Sequence, residues 1–138
     1  MYNEFNSCLS DFSHESEPGD YWYDCAVLEA TAILESFSDD DWELLLKKLE
    51  GKTVFWKKRL VECLGDLHNQ HEVDVILSVL DTDEEDLLIA GVDSLRLLDL
   101  SILDENRKAQ LSVKASTLLK KTSNPVRKVL EDFIRKLN

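Results

Sequence analysis

The chain has 138 residues, with 28 Asp plus Glu against 16 Lys plus Arg and a formal net charge of −12. That length fits one domain, and 43% hydrophobic residues can build a core, which excludes wholesale disorder; four Gly and two Pro exclude collagen-like or linker character. Such acidity disfavours nucleic acid and anionic membrane as direct ligands and favours a basic partner.

Taken in chain order, Tyr2, Phe5, Leu9 and Phe12 keep helical spacing. His14 to Asp20, with Pro18-Gly19, reads as a loop. Tyr23, Ala26, Val27, Ala30, Ile33, Leu34 and Phe37 then recur at helical spacing, with Asp24, Glu29, Thr31 and Glu35 opposite. Ser38 and Asp41 form a capping-box pattern before a second stripe of Trp42, Leu45, Leu46 and Leu49. Gly51 stands where a helix C-terminus favours a left-handed residue. Thr53 caps a third helix with Trp56, Leu60, Cys63, Leu64 and Leu67 inward. Val73, Ile76, Leu77 and Leu80 mark a short fourth helix, and Leu88, Gly91, Val92, Leu95 and Leu98 a fifth. Asp104 caps a sixth carrying Leu111, Ala115 and Leu118. Asn124-Pro125 starts a seventh with Val126, Val129, Leu130, Phe133 and Leu137, because Pro is tolerated in the first turn, where its missing N–H costs nothing. No window alternates apolar and polar residues with β-branched enrichment, so the fold class is all-α: about seven helices, with an eighth at the N-terminus if residues 2–12 are helical.

The sequence repeats at a spacing of 31: Trp56, Val61, Leu64 and Leu67 align with Leu87, Val92, Leu95 and Leu98, and Leu60 falls opposite Gly91. Trp56-Lys57-Lys58-Arg59-Leu60 leads to Leu64-Gly65, then Val73 to Leu80, then the acidic turn Asp81 to Asp86 and Leu87 onward. These residues resemble the HEAT-repeat family of helical solenoids over about residues 41–137, departing at Leu88, where the family often has Arg. The resemblance implies a short helical-hairpin solenoid, one domain over 1–138. Residues 1–37 would be its N-terminal cap region, and 38–138 would form hairpins 41–50/53–67, 71–80/84–98 and 106–121/125–137. Turns inside hairpins would line one edge and turns between hairpins the other, which puts Asp39-Asp40-Asp41 and Asp81 to Asp86 on opposite edges.

Charge is uneven along the chain. Residues 1–50 carry thirteen acids and two bases, and residues 101–138 carry four acids and nine bases. Cys8, Cys25 and Cys63 are an odd, widely spaced set, read as reduced thiols. The first residues lack the basic and apolar regions of a signal peptide, and the longest strongly apolar run, Leu87 to Val92, is too short to span a bilayer. The expectation is a cytoplasmic protein.

No P-loop, dinucleotide fingerprint, nucleophile elbow or H-E-x-x-H motif is present. Asp81-Thr82-Asp83 begins like a calcium loop, but Asp86 takes the required Gly position and Val92 the place of the bidentate Glu. His68-x-x-His71 with Cys63, Asp66 and Asp74 is the metal-like cluster, and it reads as a solvated turn. The reading is therefore of a non-enzyme with no metal and no cofactor.

Size, acidity and HEAT-like architecture make the chain similar to helical immunity proteins that protect bacteria from polymorphic or contact-dependent-inhibition toxins. That similarity implies a one-to-one complex with a basic partner, a nuclease-type toxin domain, through acidic and aromatic surface residues. The candidates are Asp39, Asp40, Asp41, Asp66, Glu72, Asp83, Glu84, Glu85 and Asp86, with Tyr21 and Trp22 as aromatic anchors. Two other readings stay open at this level. One is a HEAT-like adaptor whose acidity serves solubility; the other is a helical DNA-acting enzyme using the basic stretch Arg107 to Lys136.

Overall fold

The computed structural model describes residues 1–15 and 17–137. Among the described residues the fold is all-α, without strands. Eight helices run in order: α1 (Tyr2–Ser10), α2 (Val27–Glu35), α3 (Asp39–Leu49), α4 (Val54–Glu62), α5 (Gln70–Val79), α6 (Glu85–Leu95), α7 (Glu105–Leu119) and α8 (Asn124–Leu137). A π-helical turn, Trp22–Ala26, leads into α2, and a 3₁₀ turn, Leu100–Ile102, precedes α7. Among the described residues no helix is long and apolar enough to cross a membrane. The chain divides into two compact units, Met1–Leu64 and Gly65–Asn138.

The first unit is organised by α1, which packs against α2, α3 and α4. Phe5 and Leu9 are fully buried, and Tyr2 nearly so. Phe5 meets the edge of Phe37 at 5.6 Å and of Trp56 at 6.1 Å, and Phe37 meets Trp42 at 5.1 Å. These edge-to-face rings join α1, the end of α2, α3 and α4 in one aromatic line. The N-terminal helix is thus the centre of this core. The expected hairpin of 41–50 with 53–67 is drawn instead around α1, and α4 stops at Glu62 because the chain turns at Gly65.

Local signals act as expected at most helix starts. Ser38 Oγ accepts from Asp41 N–H, and the Asp41 carboxylate accepts from Ser38 N–H, a reciprocal capping box. Thr53 caps α4 through Trp56 N–H, and Asp104 caps α7 through Arg107 N–H. Gly51 is a correction. It does not adopt the left-handed conformation, since α3 closes through tightened turns in which Gly51 and Lys52 donate to Lys48 and Leu49 carbonyls.

In the second unit α5 packs on α6, α7 on α8, α5 on α7 and α6 on α8. Each hairpin of the expected pair therefore stacks on the other, helix to corresponding helix. α5 is buried on more than one face: Val73, Val75, Ile76, Val79 and Leu80 are all inside, and Leu77, expected inward, is half-buried. Gly91 lets α6 approach the end of α5, since a Cβ there would lie 2.7 Å from Leu80 Cδ2. Thr82, Asp83 and the start of α6 share a cleft of about 390 Å³ with Lys121 to Ser123, while Gln70 donates to the Ile102 carbonyl at the other end. Within this unit the inner and outer turns occupy the two edges expected of them.

Truncating the aromatic centre tests the first unit. Phe5→Ala should cost about 3–5 kcal/mol in urea unfolding, with a residue at the helix surface such as Asn3→Ala changing little.

Candidate functional site

Two surfaces gather the sequence candidates, one in each unit. In the first unit the site is built on the π-turn. Val27 N–H reaches back five residues to the Trp22 carbonyl, the extra residue that widens the turn. The buried ridge then runs Trp22, Ala26, Ala30, Leu34 at a spacing of four. Trp22 is a correction: it is fully buried against Phe12, ring centroids 5.4 Å apart, with the Arg59 guanidinium 6.0 Å from its ring centroid. Tyr23, expected in the core, is turned out by the same widening and is half exposed.

Tyr21 is 60% exposed and stacks on Phe12 at 6.1 Å with 16° between planes. Tyr23 lies near the Glu62 carboxylate, which pairs with Arg59 Nε at 2.8 Å. Burial pushes the Glu62 carboxyl up from its ordinary range, with Arg59 acting against that rise. Arg59 is buried, a charge that the apolar stripe concealed. The second signal of this surface is an absence in the sequence: no Lys or Arg precedes Lys47, while twelve Asp and Glu lie in residues 1–46.

Asp39 and Asp40 are exposed in the first turn of α3. Asp41 is a correction, because its carboxylate is occupied internally. Besides the capping box it accepts from Tyr2 N–H at 3.4 Å, tying α1 to the start of α3. The Ser38 backbone N–H holds the Asp41 carboxyl below the usual carboxylate range.

In the second unit Asp83, Glu84, Glu85 and Asp86 are exposed at the start of α6, where they also suit the positive helix end. Asp66 is exposed and sits 3.1 Å from His68 Nε2. Glu72 is a further correction, being fully buried. Its carboxylate accepts from the backbone N–H groups of Gly65 at 2.8 Å, and of Leu67 and His68 at 3.2 Å each. Gly65 and His68 both have positive φ, so this loop doubles back and points its amides inward at one acceptor.

The remaining chemistry-bearing residues are dispersed. Asp74 forms a two-point pair with Arg107, at 3.0 and 3.2 Å, and Cys63 Sγ lies 3.3 Å from the Arg59 carbonyl. Among the described residues no group of three His, Cys, Asp or Glu side chains is placed to hold a metal. Much of the basic tail is turned to acids of its own unit: Arg107 also pairs with Asp104, Lys114 with Asp81, and Arg127 with Glu131. The two surfaces offer charge and, in the first unit, exposed aromatic area.

Two predictions follow from this geometry. Glu72→Gln keeps only one acceptor oxygen for three inward amides and should cost about 1–3 kcal/mol, with Glu72→Ala costing more, in chemical denaturation. Because the Asp41 carboxyl is depressed in the folded chain, its contribution is present above its unfolded pKa of about 4 and is lost as pH falls through the lower folded value. Thermal melts by circular dichroism from about pH 5 down to about 2 should therefore show an acid-side loss that Asp41→Asn flattens. No protein-family model, no curated protein and no solved structure matches the chain in comparisons made with each.

Proposed function

We propose that this chain is a cytoplasmic immunity protein that neutralises a basic toxin domain of nuclease type by binding it directly. The observation that carries the reading is the twelve-acid stretch before Lys47, which holds no Lys or Arg, with tyrosines exposed among those acids. A nuclease holds phosphates with a positive cleft. A carboxylate-rich surface is steered to such a cleft quickly and, once docked, occludes it. Exposed tyrosines add contact area at small entropic cost, which suits the centre of a tight interface. In the second unit Arg107 and Lys114 are paired with Asp74 and Asp81, which leaves them less to offer a nucleic acid.

The residues in this proposal are fewer than the sequence candidates: Asp39, Asp40 and Tyr21 in the first unit, and Asp66 and Asp83 to Asp86 in the second. Asp41, Glu72 and Trp22 serve the fold. The HEAT-like resemblance enters as part of the same proposal, since stacked hairpins present long polar edges to a partner.

The test pairs the purified chain with the toxin domain encoded directly upstream of its gene. Nuclease inhibition at one-to-one stoichiometry is expected, with association that slows as salt rises. Asp39→Lys with Asp40→Lys, and separately Asp83→Lys through Asp86→Lys, should each slow association by about tenfold or more at low salt while helicity is kept. An absence of binding, or association indifferent to salt and to both reversals, overturns the proposal.

A further inference from the structure

We propose that the outer face of the π-turn and the first turn of α2 is an arginine-receiving surface, on which guanidinium groups of the basic partner stack against Tyr21 and Tyr23. This rests on the basic-partner reading above and names the face and the chemistry by which that partner is held.

The aromatic residues of the first unit differ in what lies over them. Lys48 and Lys52 each sit 5.7 Å from the Tyr2 ring centroid, Lys52 lies 4.8 Å from that of Trp56, and Arg59 lies 6.0 Å from that of Trp22. Among the described residues no cation lies over Tyr21 or Tyr23. These are also the exposed rings, at 60% and 50%, and Leu28 beyond them is 67% exposed. Around them stand Glu17, Asp20 and Asp24, and the sequence supplies no base before Lys47. The face is therefore apolar in its rings and flanked by Asp20 and Asp24, while Arg59 on the Tyr23 side is turned to Glu62.

Tyr21 is held in place, since it rests on Phe12 and leaves its other face open, while Tyr23, two residues on in the same turn, is half exposed. Anchors ordered before binding lose little freedom when a partner arrives. A guanidinium is the cation that fits both features, being planar and weakly hydrated, able to stack on a ring while its edge donates to a neighbouring carboxylate. An ammonium is compact and strongly hydrated, so it gains less from the same ring. The occupant is accordingly an arginine-bearing surface of a basic protein.

The test titrates the full chain with a nona-arginine peptide and a nona-lysine peptide at low salt, reading binding by calorimetry and by amide shifts of residues 20–28. Arginine peptide should bind more tightly than lysine peptide, with shifts centred on the π-turn. Tyr21→Ala with Tyr23→Ala should weaken it by about five- to thirtyfold, the loss of two ring contacts. Tyr21→Phe with Tyr23→Phe, which keeps the rings and guards against a folding defect, should bind as the parent does. Equal binding of the two peptides, failure of the Phe variant to bind, or survival of binding in the Ala variant overturns this assignment. If binding survives there but falls on reversal of Asp83 to Asp86, the face is wrong and the basic-partner reading stands; if neither peptide binds, that reading falls with it.

Discussion

A buried carboxylate with three backbone amides aimed at it governs the second unit. The chain leaves α4 and must reverse through Gly65 and His68, both at positive φ, before α5 can begin. That reversal turns the amides of Gly65, Leu67 and His68 away from any helix ladder, and Glu72 collects all three. A charge taken out of water is tolerated only when its acceptor capacity is filled, and here it is filled by groups that would otherwise be stranded. Gly65 has no room for a side chain, since a Cβ would lie 2.9 Å from both Ser94 O and Leu97 Cβ, so the loop is seated against the end of α6. Asn69 then caps α5 through Glu72 N–H, and α5 becomes the helix on which α6 and α7 pack.

The first unit depends on a different economy, in which one short helix supplies the centre. Nine residues of α1 would be marginal alone in water, yet they hold because Tyr2, Phe5 and Leu9 meet three other helices. Asp41 couples this core to its surface. The same carboxylate that caps α3 accepts the amide of Tyr2, so an acid that composition alone would count as surface charge instead fixes two helix starts. Asp39 and Asp40 beside it remain exposed, so three consecutive aspartates divide between fold and surface.

Legibility followed the range of the interaction. Ser38, Thr53 and Asp104 could be read as caps because each satisfies an amide three residues away. The stripes of α3, α7 and α8 could be read because their buried residues keep the helical period. Trp22 and Tyr23 exchanged places because a π-turn adds a residue to one turn, and no periodicity at 3.6 residues anticipates that. Glu72 and Arg59 were concealed for a related reason: a charged residue on a helix reads as solvent-facing unless its partners, distant or in an irregular loop, are known. Of the candidate surface, the acids at the starts of α3 and α6 and Tyr21 were legible, and the distinction between the two adjacent aromatics was not.

The amino-acid sequence by itself determined the all-α class, most helix starts, the two helix pairs 71–80/84–98 and 106–121/125–137 of the second unit, and the strong negative charge before Lys47. These rest on local hydrogen bonds, helical spacing and simple charge, all of which act within a few residues. Tertiary structure alone decided which charged and aromatic groups serve the fold and which face outward: Asp41 and Glu72 engaged by amides, Arg59 sealed beneath Trp22, Tyr21 and Tyr23 left exposed. Those outcomes depend on which groups meet across helices and irregular loops, where the cost of burying a charge or an amide is settled by the partner it finds there.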